Sequence, residues 1–348
     1  MRILFDLVHP ADVRFFREPI RRLQGQGAEI LCLARDKDLT CQLLDRYALT
    51  YQVASRQGRG LFGLGVELVQ RDWAAVHAMR RFRPDVAAGF GGVAIAHAGR
   101  MAGVRTVAFY DTEPGRLQMA LTLPFIDEWH VPQGWRGPAP AGRTYRFNSL
   151  KELSDLHPSR FQPSLERARA LGFDEARANV FVRLSARAAA HDQGARALDL
   201  RAFLAALERV FGAVRLHLSC EGRPPSGLER HVYAGPPEAV HQLIAACDLA
   251  CTDGASMAAE AAVLGVPAIV TYRRSLGYIR ELERYGLMFT ASGQGPFEAV
   301  LARARIDRAE RRKRRRRLLA DKADMADYVV DRLLRAGASS DRPPTRPA

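Results

Sequence analysis

Apolar and polar positions fall into blocks of alternating period along the chain. Residues 2–8 form a near-continuous apolar run ended by His9-Pro10, the pattern of a buried strand. Val13, Phe16, Ile20 and Leu23 then recur at helical spacing through 11–24, and Gly25 and Gly27 stop that helix. A second strand is expected at 29–34, a short helix at 38–47 and a third strand at 51–54. A glycine-loosened segment at 55–72 leads into a helix ending at Arg81. A strand at 85–89, a turn at Gly91-Gly92, a small-residue helix to Ala102 and a strand at 104–110 follow. The stretch 134–163 is rich in Pro, Gly and Arg and reads as a boundary. Beyond it the pattern predicts strands at 179–184, 214–219 and 247–252, with a weak one at 232–234. Helices are predicted at 199–211, 237–246, 256–264, 278–285 and 307–334. Strands that alternate with helices make a parallel sheet covered on its faces.

The strongest organising signal is a repeat. Asp85 to Gly91 spans six residues, as does Asp248 to Gly254, and Gly103 to Tyr110 and Gly265 to Tyr272 both span seven. Gly91 to Gly103 is an offset of twelve, and Gly254 to Gly265 one of eleven. Strand, glycine turn, Ala-rich helix, Gly-Val and strand thus occur twice, 163 residues apart. Two similar Rossmann-like α/β halves, with a ligand in the cleft between them, are the simplest expectation. Their expected boundaries are 1–150, 160–336 and a disordered tail at 337–348.

Composition narrows the class. The 348 residues are long enough for two domains and have the 47% hydrophobic and 26% charged content of a globular protein. No run approaches the roughly 18 apolar residues of a membrane span, and the first ten residues are broken by Asp6, so a cytoplasmic protein is expected. Five cysteines in mostly apolar settings, with no CxxC pair, read as reduced core residues. Half of the formal charge of +14 sits in residues 308–317, with eight basic residues and one acid. That run reads as the solvated face of a helix or as an attractor of anionic lipid or acidic polymers. Without interleaved aromatics it lacks a stacking platform for RNA.

Open α/β sheets bind ligands at the carboxyl ends of their strands. In the first half those positions hold Asp6 and His9, Arg35-Asp36-Lys37, Gly91-Gly92 and Asp111-Thr112-Glu113. In the second they hold Arg183, Ser185, His191, Glu221 and Asp253-Gly254-Ala255-Ser256. The Gly254 turn opens a helix whose first N–H groups suit a phosphate or pyrophosphate, and Glu260 follows six residues later. Asp36-Lys37-Asp38 is too short a match to imply a metal, and no Walker loop, Gly-x-Gly-x-x-Gly or Gly-x-Ser-x-Gly is present. Kinase, dehydrogenase and hydrolase readings lose support accordingly. No metal or cofactor is expected.

Residues 2–11, 34–38, 89–91, 110–113 and 253–262 together resemble the family catalogued as domain of unknown function 354, over roughly residues 1–290. That family is placed with GT-B-fold proteins. More distantly the chain is similar to the peptidoglycan N-acetylglucosaminyltransferase that makes lipid II and to the non-hydrolysing UDP-N-acetylglucosamine 2-epimerase. The resemblance implies an inverting, metal-independent sugar transfer from a UDP-sugar. Arg183, Ser185, Glu221 and Asp253 to Ser256 would bind the nucleotide-sugar, and Glu260 the ribose. Asp6, Arg35, Gly91, Gly92 and Glu113 would lie on the acceptor side, and His9 or Asp111 would be the base. At strand one the transferase's glycine-rich loop is replaced by His9-Pro-Ala-Asp12. Two alternatives stand beside this reading. One is an epimerase using Asp6, Asp111, Glu113 and His191. The other is a non-catalytic assembly protein using the basic run. The apolar and basic segment 55–72 suggests a lipid-linked or polysaccharide acceptor, with the protein peripheral at the inner membrane face.

Overall fold

The structure is a computed structural model that describes residues 1–58, 60–185, 198–271 and 276–338. The chain divides into two compact units, Met1–Asp155 together with the chain from Ala323 onward, and Leu156–Lys322.

The first unit is built from β1 (Arg2–Leu7), α1 (Pro10–Gly25), β2 (Glu29–Asp36), α2 (Thr40–Arg46), β3 (Tyr51–Arg56), α3 (Gly60–Phe82), β4 (Val86–Phe90), α4 (Val93–Ala102), β5 (Arg105–Phe109), α5 (Arg116–Thr122), β6 (Glu128–Pro132), β7 (Thr144–Phe147) and α6 (Leu153–Leu156). Its seven strands are all parallel, in the order β3-β2-β1-β4-β5-β6-β7. The second unit holds α7 (Leu165–Ala170), β8 (Ala178–Leu184), α8 (Leu200–Phe211), β9 (Val214–Cys220), α9 (Val240–Ala246), β10 (Leu249–Thr252), α10 (Ala255–Val263), β11 (Ala268–Val270), α11 (Gly277–Arg284), β12 (Met288–Thr290), α12 (Glu298–Ala304) and α13 (Arg308–Asp321). Its five strands are also parallel, in the order β12-β11-β10-β8-β9. Both sheets read as near-continuous apolar runs because helices cover both faces.

The repeat is structural. β4-α4-β5 and β10-α10-β11 are equivalent crossovers, and the aspartate that opens each does the same work. Asp85 accepts the Arg2 N–H on its carboxylate (2.7 Å) while its own N–H donates to the Arg2 carbonyl. Asp248 accepts from the Asn179 N–H (2.9 Å) and donates to the Asn179 carbonyl. Each carboxylate therefore pins the start of the neighbouring central strand.

In the first unit Phe5, Phe15, Phe16 and Phe109 form a buried cluster with ring centroids 4.7–5.9 Å apart. Burying each ring contributes roughly 2–3 kcal/mol. All five cysteines are free thiols, and burial pushes that of Cys32 up to about 12. Among the described residues no helix is long and apolar enough to cross a membrane.

Several sequence expectations are corrected. The single helix expected at 307–334 breaks at 322–324 into α13 and α14 (Met325–Ala338). The last of these belongs to the first unit, so the second unit ends at Lys322 and not at 336. It packs on α1 and over β4 and β5, where Tyr328 donates toward His130 Nδ1 (2.8 Å) and Arg332 pairs with buried Glu128 (3.1 Å). Gly337 and Ala338 lie within α14, so the tail expected from 337 starts no earlier than 339, and 339–348 lie outside the described residues. The strand expected at 232–234 is only an isolated bridge between Leu218 and Val232. The stretch expected as a boundary, 134–163, carries β7 and α6.

Candidate functional site

In the second unit, β10 ends at Thr252 and delivers Asp253 and Gly254 to the start of α10. Gly254 is the N-cap, in extended conformation (φ −109°), with no side-chain cap on the helix. The sequence from Ala255 to Val263 is almost all alanine and helix-favouring, so the helix forms without a polar cap. No side chain of the cap residue accepts from its first-turn amides, and the positive end of the helix dipole lies behind them.

Asp253 is turned away from that helix start. Its carboxylate accepts from the Ser185 N–H (2.8 Å) and hydroxyl (2.7 Å), tying the end of β8 to the end of β10. Arg183 spans the β8 and β9 ends, donating to Ser219 Oγ (2.7 Å) and to Glu221 Oε1 (2.6 Å). Glu260 lies on α10 and takes His241 Nε2 on its carboxylate at 2.9 Å. His241, on α9, is buried, so it fixes the carboxylate's rotamer. The structure thus brings Asp253 with Ser185, and Arg183 with Glu221. It adds His241, which the sequence reading missed. His191 lies within 186–197, outside the described residues.

In the first unit, the carboxyl ends of β1, β5 and β7 gather a set of paired charges. Asp6, buried, accepts from Arg71 of α3 at 2.8 Å. Asp111, also buried, pairs with Lys151 Nζ at 2.8 Å and accepts from Thr112 Oγ1 at 2.9 Å. Lys151 also lies 5.3 Å from the centre of the Phe90 ring. Asp12 accepts from the Val8 and His9 N–H groups, both at 3.0 Å. Burial pushes its carboxyl up to about 7, with Asp6 raising it further and Lys151 lowering it. Asp12, Arg71 and Lys151 were not singled out from sequence. The only signal was Asp12 three residues after a chain turn, the spacing of a capping box.

His9 is the N-cap of α1, and its Nδ1 accepts the Ala11 N–H at 3.1 Å. In neutral imidazole that assigns the proton to Nε2, so the ring offers a donor there and not a base. Arg35 has a protein partner as well. It forms a two-pronged pair with buried Glu67 of α3 (Nη2 to Oε2, 2.6 Å), and Glu67 also accepts from Ser55 and Gly58. That cluster fastens α3 to the ends of β2 and β3.

Gly91 and Gly92 have φ of +77° and +61°, and a Cβ on Gly91 would meet Gln118 Nε2 at 1.8 Å. Gly91 donates to the Phe109 carbonyl and accepts from Thr122 Oγ1, each at 2.8 Å. The turn is held by protein partners. Glu113 is half-buried in the loop after β5. Asp36 and Asp38 turn to Arg56 (3.5 Å) and Lys37 (3.6 Å) respectively. Among the described residues no three His, Cys, Asp or Glu side chains cluster to hold a metal ion.

Comparison with known proteins agrees with this architecture. Residues 1–135 match the family model described as "Protein of unknown function (DUF354)". No curated protein matches the sequence. Among solved structures, the spinosyn forosaminyltransferase SpnP superposes with a TM-score of 0.69 at 15% identity, over 97% of this chain and 100% of that one. UDP-GlcNAc 2-epimerase from Neisseria meningitidis, bound to UDP-GlcNAc, gives 0.64 at 11% identity, over 96% and 100%. MurG from Acinetobacter baumannii gives 0.60 at 15%, over 96% and 100%. The chain therefore matches the DUF354 family over its first 135 residues and has, across its two parallel-sheet units, the GT-B fold.

Proposed function

We propose that the protein is a metal-independent glycosyltransferase whose donor is a nucleotide-sugar, with UDP as the nucleotide. The observation that carries this is the start of α10 at Gly254–Ser256, which has no side-chain cap, with the carboxylate of Glu260 on the same helix held in place by His241 of α9. Backbone N–H groups at a helix start bind a diphosphate and stabilise it as it leaves, the task a metal performs elsewhere. Glu260 would take the ribose hydroxyls, as a carboxylate accepts two O–H donors well. Structural neighbours that include a forosaminyltransferase and an epimerase bound to UDP-GlcNAc support a sugar-nucleotide ligand.

Acceptor activation is assigned to the first unit. Of the two candidate bases the geometry favours Asp111, because the Nδ1 lone pair of His9 is already taken by Ala11. Lys151 would orient the Asp111 side chain toward the acceptor hydroxyl whose proton it takes. The acceptor reading rests on α3. Phe62, Val66, Val69 and Trp73 recur on one face at helical spacing, and Phe62 is 87% and Trp73 63% exposed. Arg80 follows on that face, and the Arg56 side chain is 86% exposed nearby in sequence. An apolar stripe bordered by arginine fits an anionic lipid surface and a lipid-linked acceptor.

Calorimetry with UDP tests the donor assignment. Wild type should bind, and Glu260→Gln should weaken binding about tenfold, the loss of one to two charge-assisted hydrogen bonds. Equal affinity of the two proteins would sink the ribose role. Asp111→Asn should keep UDP affinity and lose turnover. Co-sedimentation with phosphatidylglycerol vesicles at low salt should fall when Phe62 and Trp73 become serine; unchanged sedimentation would rule out the α3 stripe.

The epimerase reading keeps support from the acids Asp6, Asp12 and Asp111 at one sheet end. Incubating UDP-N-acetylglucosamine alone and looking by NMR for the manno epimer separates it from a transferase, which needs an acceptor.

A further inference from the structure

The basic run of α13 is only partly a solvated face: Arg308, Arg312, Lys313, Arg316 and Arg317 are exposed. Three of its arginines are fixed onto backbone carbonyls at the ends of other elements of the second unit. Arg311 donates to the carbonyls of Cys247 (2.7 Å) and Gly265 (3.0 Å), Arg314 to that of Gly286 (2.8 Å) and Arg315 to that of Val263 (3.0 Å). These carbonyls lie at or just beyond the carboxyl ends of α9, α10 and α11, where cations complement the helix dipole.

Around them lies a pocket of about 320 Å³, at the amino edge of the sheet. Arg308, Arg311, Arg312 and Arg315, at i, i+3, i+4 and i+7, line one side of it, and no carboxylate lines it. Their roles divide. Arg311 is buried and its donors are spent on carbonyls, with Asp248 3.6 Å away. Arg315 uses Nε on Val263, but its Nη2 is buried and makes no hydrogen bond. Arg308 and Arg312 are exposed at the mouth and form no ion pair among the described residues. Leu165, Phe173 and Leu264 are among the apolar residues that line it. Gly265 has φ +83°, and a Cβ there would strike Arg315 Cδ at 2.9 Å, so the glycine makes room for the aliphatic stem of that side chain.

We infer that this pocket binds a small organic phosphate, its phosphate oxygens on Arg308 and Arg312 and its apolar group against Phe173 and Leu165. Exposed guanidinium groups at a pocket whose lining residues include no carboxylate recognise a phosphate dianion. The volume is at the lower end for small-molecule sites and excludes a large ligand. The site is independent of the proposed donor site. It lies at the opposite end of α10 from Gly254, about 14 Å away along a nine-residue helix.

The test uses the full chain saturated with UDP, titrated with phenyl phosphate and with inorganic phosphate by calorimetry or phosphorus NMR. Phenyl phosphate should bind several-fold tighter than inorganic phosphate, because only it uses the apolar lining. The Arg308→Ala/Arg312→Ala double variant should weaken both at least tenfold. Lys313→Ala, on the same helix but outside the pocket, should stay within twofold. Absence of binding, equal losses in the double variant and in Lys313→Ala, or displacement of phenyl phosphate by UDP would each overturn the assignment. Failure of UDP to bind would leave this test standing, since phenyl phosphate can be titrated without it.

Discussion

Replacing Asp12 with asparagine probes the first unit where its electrostatics are most unusual. The Asp12 carboxylate is 4% exposed and caps α1 through the Val8 and His9 N–H groups. Asparagine keeps an acceptor oxygen for that cap but cannot ionise. Burial raises the folded-state pKa from 3.8 to about 7. Between those values the native state keeps a proton that the unfolded chain has lost. Stability from this group is thus fully present below 3.8 and falls as pH rises through 7, by about 1.4 kcal/mol per pH unit. Between pH 5 and pH 8 the wild type should lose about 2.7 kcal/mol relative to Asp12→Asn. Taking the difference between the two chains cancels the common titrations. These include His97, raised by its bond to Asp72, and His130, His217 and His231, all lowered by burial. The assay is urea unfolding at both pH values followed by tryptophan fluorescence. Trp73, Trp129 and Trp135 all lie in the first unit, so the signal reports where Asp12 sits. A stability gap between the two chains that is the same at pH 5 and pH 8 would refute the reasoning.

Arg311→Met should destabilise the second unit by about 3 kcal/mol, because two carbonyls and Asp248 lose a buried partner, whereas Lys313→Ala should change it by less than about 0.5 kcal/mol; hydrogen exchange of α10 amides reads both. His9→Ala should cost about 1 kcal/mol by uncapping α1, and His9→Asn should restore most of it, as measured by urea unfolding. Gly91→Ala should cost about 2 kcal/mol from its positive φ and from displacing Gln118, which breaks the Tyr110 hydroxyl bond to Gln118 (3.0 Å). Adding Gln118→Ala should relieve only the steric part, again by fluorescence-detected unfolding.

The legible parts of this fold are those written in local pattern. The two crossovers were visible because Asp85 and Asp248, the glycines after them and the alanine-rich helices repeat at fixed spacing, and the structure gives both aspartates one role. β6, β7 and β12 escaped because Glu128 and Pro132 bracket the first, and the others are four and three residues long. The strand-end residues were found by topology, but their partners were not. Arg71 lies 65 residues from Asp6 and Glu67 lies 32 from Arg35, on a helix whose charged residues look like surface. No periodicity encodes such pairings, so the strut that Arg35 forms with Glu67 was not legible. The arginine run misled in the opposite direction. Its charge suggested a solvated face, while its geometry spends three guanidinium groups on carbonyls.

The return of α14 to the first unit has a consequence for synthesis. Met325, Val329 and Leu333 are buried in a unit whose other elements were made before residue 156. On the ribosome, the inserted unit, ending at Lys322, can close before its host. Meanwhile the surface around Phe109, His130 and Tyr145 waits for the Tyr328 and Arg332 that will cover it. The first half made is therefore the last half finished, and until α14 emerges those rings stay uncovered.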